Sequence, residues 1–114
     1  LYALDTRTGE VVWETNEDVF GTWLGYSSEL DLLIQCGSVN IDRARDDIGT
    51  GIVVYEAKTG KVVWKDLERK HGGPLMLWKD QIIRDGYVGN GIDLLTGYKS
   101  LWICFPVCLI YLPG

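Results

Sequence analysis

The chain has one histidine, His71, in the stretch Lys70-His71-Gly72-Gly73-Pro74, and three cysteines, Cys36, Cys104 and Cys108. A histidine carries proton transfer or binds a metal only where further groups converge on it. No serine or cysteine nucleophile and no second ligand is spaced to serve His71, so it reads as a loop residue. The odd cysteine count without a C-x-x-C pair signals neither a zinc site nor a disulfide framework. Asp42, Asp46 and Asp47 are hard oxygen donors of the kind calcium takes, but the D-x-D-x-D-G register is missing and Arg43 and Arg45 balance their charge. Gly72-Gly73-Pro74 lacks the spacing and the Lys-Ser/Thr of a phosphate loop and reads as the lead into a strand. No catalytic, cofactor-binding or metal-binding residue is assigned.

The composition frames that result. The 114 residues are 46% hydrophobic and 24% charged, which is the make-up of a globular chain of about one domain. Sixteen Asp and Glu against 11 Lys and Arg give a net charge of -5, which argues against nucleic acid as a partner, because phosphate neutralisation needs clustered positive charge. Arg43 and Arg45, and the run Lys65 to Lys70, are interleaved with Asp42, Asp46, Asp47, Asp66 and Glu68 and read as solvated loops. The apolar run from Leu101 to Leu112 is broken by Pro106 and is well short of the roughly 20 residues of a membrane-spanning helix. The start at Leu1 shows no targeting signal, although one could have stood upstream.

The informative feature is an internal repeat. LYALDTRTGEVVW at 1–13 returns as IVVYEAKTGKVVW at 52–64, so that Thr8, Gly9, Val11, Val12 and Trp13 recur as Thr59, Gly60, Val62, Val63 and Trp64. A third copy, GIDLLTGYKSLW at 91–102, places Asp93, Thr96 and Gly97 where Asp5, Thr8 and Gly9 stand, with Trp102 one residue late. Each copy is a β-branched or aromatic run, a polar turn ending in Thr-Gly, and a second run closing on Trp. Glycine accepts the positive φ of a tight turn, and an Asp or Glu four residues earlier can accept hydrogen bonds from the turn amides. The copies are therefore expected to be β-hairpins.

Between them, Phe20 to Tyr26 and Leu32 to Gln35 flank a polar turn, as do Leu75 to Trp78 and Gln81 to Arg84. The sum is ten short strands: two up to Glu14, four between Phe20 and Lys65, and four between Leu75 and Trp102. Gly37 to Gly51 is too polar for a strand and is expected to be an exposed loop. Groups of four strands, each unable to bury both faces alone, predict an all-β chain of antiparallel propeller blades.

Ala3, Asp5, Thr8, Gly9 and Trp13 fit A-x-D-x-x-T-G-x-x-x-W, which resembles the tryptophan-docking motif of the pyrroloquinoline quinone (PQQ) repeat of quinoprotein alcohol-dehydrogenase-like propellers. The second copy has Val54 and Glu56 at the Ala and Asp positions, and the third has Gly91 for the Ala. The resemblance covers residues 1 to about 102. It implies a half blade at 1–14, blades at 19–65 and 74–102, and stacking of Trp13 and Trp64 against the glycine-containing peptide of an adjacent blade. The residues it marks as docking are Ala3, Asp5, Thr8, Gly9, Trp13, Thr59, Gly60, Trp64, Asp93, Thr96, Gly97 and Trp102.

Members of that family include periplasmic or membrane-associated dehydrogenases that bind PQQ and calcium. They also include non-enzymatic propellers, among them an outer-membrane assembly lipoprotein and sensor domains of bacterial kinases. The dehydrogenases carry adjacent cysteines beneath the quinone, and no two cysteines are adjacent here. Trp23 and Trp78 accordingly read as packing residues. The expectation is a non-catalytic scaffold or protein-interaction module without a cofactor of its own, part of a larger bacterial cell-envelope protein. Its partners would be other blades of a parent chain, or further copies of itself. The alternative is a fragment of a PQQ- and calcium-dependent dehydrogenase whose catalytic residues lie elsewhere.

Residues 103–114 are apolar and uncharged, where a polar connection to another blade would be expected. A strand packed back on the sheet, a segment awaiting a partner, and an end that is not the natural continuation all fit; the last is the reading taken.

Overall fold

The computed structural model describes residues 1–20, 23–37, 50–70, 75–84, 90–105 and 108–112; the side chains of Lys70, Arg84, Asn90 and residues 99–112 are outside that description. The described chain is all-β and contains no helix. Its eleven strands are β1 (Tyr2–Leu4), β2 (Val11–Glu14), β3 (Trp23–Ser27), β4 (Leu32–Cys36), β5 (Thr50–Glu56), β6 (Val62–Lys70), β7 (Leu75–Trp78), β8 (Gln81–Arg84), β9 (Asn90–Asp93), β10 (Lys99–Phe105) and β11 (Cys108–Leu112). They form three antiparallel sheets in sequence order, β1-β2, β3-β4-β5-β6 and β7-β8-β9-β10-β11.

Three boundaries differ from the sequence reading. The run Lys65 to Lys70, expected as a solvated loop, continues β6 to Lys70. β6 is the edge of its sheet, where charged side chains suit a strand that must not pair further. The segment after Trp102 is ladder as well: β10 runs to Phe105, and β11 pairs with it from Leu101↔Leu112 to Phe105↔Cys108. A run rich in Leu, Ile and aromatics has high strand propensity. Of the expected loop at Gly37 to Gly51, residues 38–49 lie outside the described residues, and its last two, Thr50 and Gly51, already belong to β5.

The main core lies between the second and third sheets. Alternation along the strands turns Leu32, Ile34, Cys36, Ile52 and Val54 toward Leu75, Ile82, Ile92 and Leu94, with Trp23, Leu30, Trp64 and Leu77 packed around them. Each such aliphatic side chain contributes roughly 1.5–3 kcal/mol on full burial. The opposite face of β5 is buried too, by Val53 and Tyr55. Buried Gln35 beside them is held by polar contacts: its Oε1 accepts from Phe20 N (2.8 Å), and its Nε2 donates to Asp18 O (3.1 Å) and Tyr55 OH (2.8 Å). One side chain thus fixes the segment leading into β3 against the middle of the sheet.

Candidate functional site

The three Thr-Gly turns are built alike. In each, the glycine amide donates to the carbonyl four residues earlier: Gly9 to Asp5 (2.7 Å), Gly60 to Glu56 (2.9 Å) and Gly97 to Asp93 (2.8 Å). The threonine hydroxyl accepts from the amide two residues on, at 3.2 Å in every copy: Glu10 to Thr8, Lys61 to Thr59 and Tyr98 to Thr96. Asp5 Oδ1 accepts from the amides of Arg7 and Thr8, and Asp93 Oδ1 from those of Leu95 and Thr96. The longer Glu56 instead accepts from the hydroxyl of Thr59. The glycines sit at φ 73°, 75° and 74°, left-handed backbone that a side chain would strain.

The strand after the turn carries a β-bulge in two copies. Trp13 stands opposite Ala3 while Val11 stands opposite Leu4; likewise Trp64 stands opposite Val54 while Val62 stands opposite Tyr55. The extra residue re-aims the strand and presents each tryptophan to the turn of the following sheet. Trp13 Nε1 donates to Ala57 O at 2.8 Å, and Trp64 Nε1 donates to Leu94 O at 2.7 Å. The indole rings cover the glycines. A Cβ placed on Gly60 would fall 2.6 Å from Cδ2 and Cε3 of Trp13, and one on Gly97 would fall 2.9 Å from the same atoms of Trp64. Trp13 also stacks on Tyr55, with ring centroids 6.2 Å apart. In the third copy the ladder runs without the bulge, Lys99↔Ile92, Ser100↔Gly91 and Leu101↔Asn90. Trp102 is therefore two steps beyond the residue opposite Gly91; its side chain lies outside the described residues.

Several residues that hold this arrangement carry no signal in the motif. The acceptors Ala57 and Leu94 contribute only a carbonyl, which any residue has. Their amides donate to the β3–β4 and β7–β8 turns, Ala57 to Asp31 O (3.0 Å) and Leu94 to Asp80 O (2.8 Å). Arg69 sits with its guanidinium carbon 6.0 Å from the centre of the Trp64 ring, donates to Gly97 O (2.8 Å), and pairs with Asp66 (3.0 Å). It borders an open groove of about 470 Å³ lined by Trp64, Asp66, Arg69, Thr96, Gly97 and Tyr98. The alternation of charge at 65–70 hid this clamp.

Charge elsewhere is local. Lys65 donates to Asp18 at 2.7 Å, and that hydrogen bond holds its ammonium above the usual lysine range. Tyr26 donates to Asp31 at 2.7 Å, which raises its phenol. Burial pushes the Cys36 thiol up to about 12, so it is a packed thiol and not a nucleophile. His71, Asp42, Asp46, Asp47 and Gly72-Gly73-Pro74 lie outside the described residues, as do the side chains of Cys104 and Cys108. Among the described residues no three His, Cys, Asp or Glu side chains converge, and no helix is long and apolar enough to cross a membrane. Comparison with protein-family models, with curated proteins and with solved structures returns no match to this chain. The arrangement joins sheet to sheet through tryptophan, glycine and a backbone carbonyl.

Proposed function

We propose that this chain is a non-catalytic scaffold or protein-interaction module: about two and a half blades of a β-propeller of PQQ-like repeats, belonging to a larger bacterial protein outside the cytoplasm or completed by further copies of itself. The observation that carries the reading is the twofold recurrence of one junction, Trp13 on Gly60 with Ala57 O and Trp64 on Gly97 with Leu94 O. Units that contact only their neighbours, joined by one repeated contact, are the physical basis of repeat architectures. In such an array the turns and loops are free to vary for partner contact while tryptophan and glycine hold the stack. Bacterial origin and cell-envelope location rest on the motif resemblance alone.

The test is a titration of the chain with PQQ and calcium followed by tryptophan fluorescence. No saturable change is expected. Calcium-dependent, saturable quenching at low micromolar quinone would overturn the non-catalytic reading in favour of a quinoprotein dehydrogenase fragment.

A further inference from the structure

The second sheet is covered unevenly on the face it turns to the first. Two rows cross that face from β3 to β5, Leu24–Gln35–Val53 and Tyr26–Leu33–Tyr55. At the β5 end Val53 and Tyr55 are buried, and the Trp13 ring stacks on Tyr55. At the β3 end Leu24 and Tyr26 are 53% and 55% exposed, and Leu33 on β4 is half-buried. The third sheet shows the same positions covered. Its row Leu77–Ile82–Ile92 matches Tyr26–Leu33–Tyr55, since Ile92 and Tyr55 each precede the acid of their turn, and Leu75 stands where Leu24 does. There Leu75 and Ile82 are 3% and 0% exposed, packed under Leu32, Ile34 and Cys36 of the second sheet. An antiparallel sheet with one face in water alternates to polar residues on that face; Leu24, Tyr26 and Leu33 keep the apolar character of a covered one.

The first sheet supplies a matching edge. Leu1 exchanges two hydrogen bonds with Thr15, each of 3.0 Å, and Asp5 N donates to Glu10 O at 2.8 Å. The backbone groups of Leu1, Ala3 and Asp5 therefore face β2, and alternation along the strand turns the N–H and C=O of Tyr2 and Leu4 to the other side, where β1 has no neighbour among the described residues. The equivalent residues of the second sheet, Val53 and Tyr55, stand opposite Gln35 and Leu33 of β4. A strand added on Tyr2 and Leu4 thus lies over β4, and a second strand beside it lies over β3.

We propose that the free edge of β1, together with the exposed face of β3 and β4, is the docking site for a β-hairpin of a partner protein, which extends the first sheet by strand addition and lays apolar side chains on Leu24, Tyr26 and Leu33. Main-chain hydrogen bonds give such a site its grip, and the side chains on alternate positions give it selectivity. The exposed row is continuous with the Trp13–Tyr55 contact, so the hairpin enlarges an interface that the sheets already form. A second copy of the chain does not offer this hairpin, because the edges of β4 and β8 that would pair with β1 are taken by β5 and β9. The inference rests on reading the chain as an interaction module of stacked sheets.

The experiment follows amide exchange of the full chain by nuclear magnetic resonance, with and without a synthetic peptide of residues 23–36 carrying Cys36→Ser. That sequence is the hairpin that covers the third sheet in the same place. The peptide is expected to bind saturably, one to one, and to slow exchange at Tyr2 and Leu4 roughly tenfold or more. Leu24→Asp, at an exposed position, should weaken binding roughly tenfold, while Met76→Asp, on the far face of the third sheet at 61% exposure, should leave it unchanged. A peptide that does not bind, that binds without protecting Tyr2 and Leu4, or that binds Leu24→Asp as tightly as the wild type overturns the proposal. So does protection of those amides that grows with chain concentration alone, which assigns the face to a second copy. The Ala3 amide separates this inference from the reading beneath it. Rapid exchange at Ala3 in the free chain would bring down the stacked-sheet reading; a protected Ala3 with no gain at Tyr2 and Leu4 would bring down only the hairpin site.

Discussion

Alanine placed at each repeat glycine separates the strain of the turn from the docking contact. All three glycines share a φ of 73–75°, so each substitution carries the same left-handed penalty of roughly 1–2 kcal/mol. At Gly9 that is the whole effect, since nothing stands within 4 Å of the new methyl. At Gly60 the methyl would lie 2.6 Å from two atoms of the Trp13 ring. The indole cannot easily retreat, being tied to Ala57 O at 2.8 Å and stacked on Tyr55. Displacing it adds about 1–3 kcal/mol of overpacking, and breaking its hydrogen bond adds about 1 kcal/mol more. Gly60→Ala should therefore exceed Gly9→Ala by roughly 1–4 kcal/mol. Urea unfolding followed by far-ultraviolet circular dichroism, at concentrations where the chain is monomeric, measures both. Repeating Gly60→Ala in a Trp13→Ala background should erase the excess. Equal losses at the two glycines, within the roughly 0.5 kcal/mol by which independent sites fail to add, would refute the docking argument.

Other outcomes follow from the same contacts. Trp64→Phe keeps a ring over Gly97 but loses the bond to Leu94 O, and should lower stability by roughly 1–2 kcal/mol, with Trp64→Ala nearer 3–5 kcal/mol in the same urea assay. Arg69→Met retains the aliphatic stem beside Trp64 but loses the bonds to Gly97 O and Asp66; a loss of roughly 1.5–3 kcal/mol is expected, and an unchanged midpoint would deny the clamp. Gln35→Leu strips partners from Phe20 N and Tyr55 OH at roughly 1–3 kcal/mol for each orphaned group, with amide exchange at Phe20 rising as the local signature. In a Cys104→Ser, Cys108→Ser background, Cys36 should resist a disulfide reagent until the chain unfolds. Because its native thiol holds a proton up to about 12 that the unfolded chain releases near 9, its contribution to stability is complete below about pH 9 and is lost as pH rises toward 12.

The hairpins were legible because their chemistry is local. A Thr-Gly turn four residues after an acid, flanked by β-branched runs, specifies its own hydrogen bonds, and the spacing of Gly9, Gly60 and Gly97 announced where they would fall. Strand existence between the hairpins was equally legible, from Leu32 to Gln35 and from Gln81 to Arg84. What escaped was whatever depends on the neighbouring sheet. Arg69 looks like any charge in an alternating run until Gly97 O and Trp64 arrive beside it. Gln35 sits in an otherwise apolar strand, and its partners are fifteen to twenty residues away. The pairing of β11 was not legible because an uncharged apolar run has no period of its own; it is set by the edge that β10 supplies. Ala57 and Leu94 act through the backbone, which side-chain identity does not report.

Those two residues have a consequence for the order of folding. Each is held at both ends, the amide by the first turn of its own sheet and the carbonyl by an indole from the sheet before it. The N–H and C=O of one residue lie in adjacent planar peptide units, so anchoring the amide fixes the residue's place and with it the direction of the carbonyl. The carbonyl is therefore aimed at the indole once the first hairpin of its own sheet has closed. Assembly is gated accordingly: a nascent sheet offers little grip to its neighbour until it is internally complete, which penalises premature contacts between half-formed units in a chain whose repeats are similar enough to mispair.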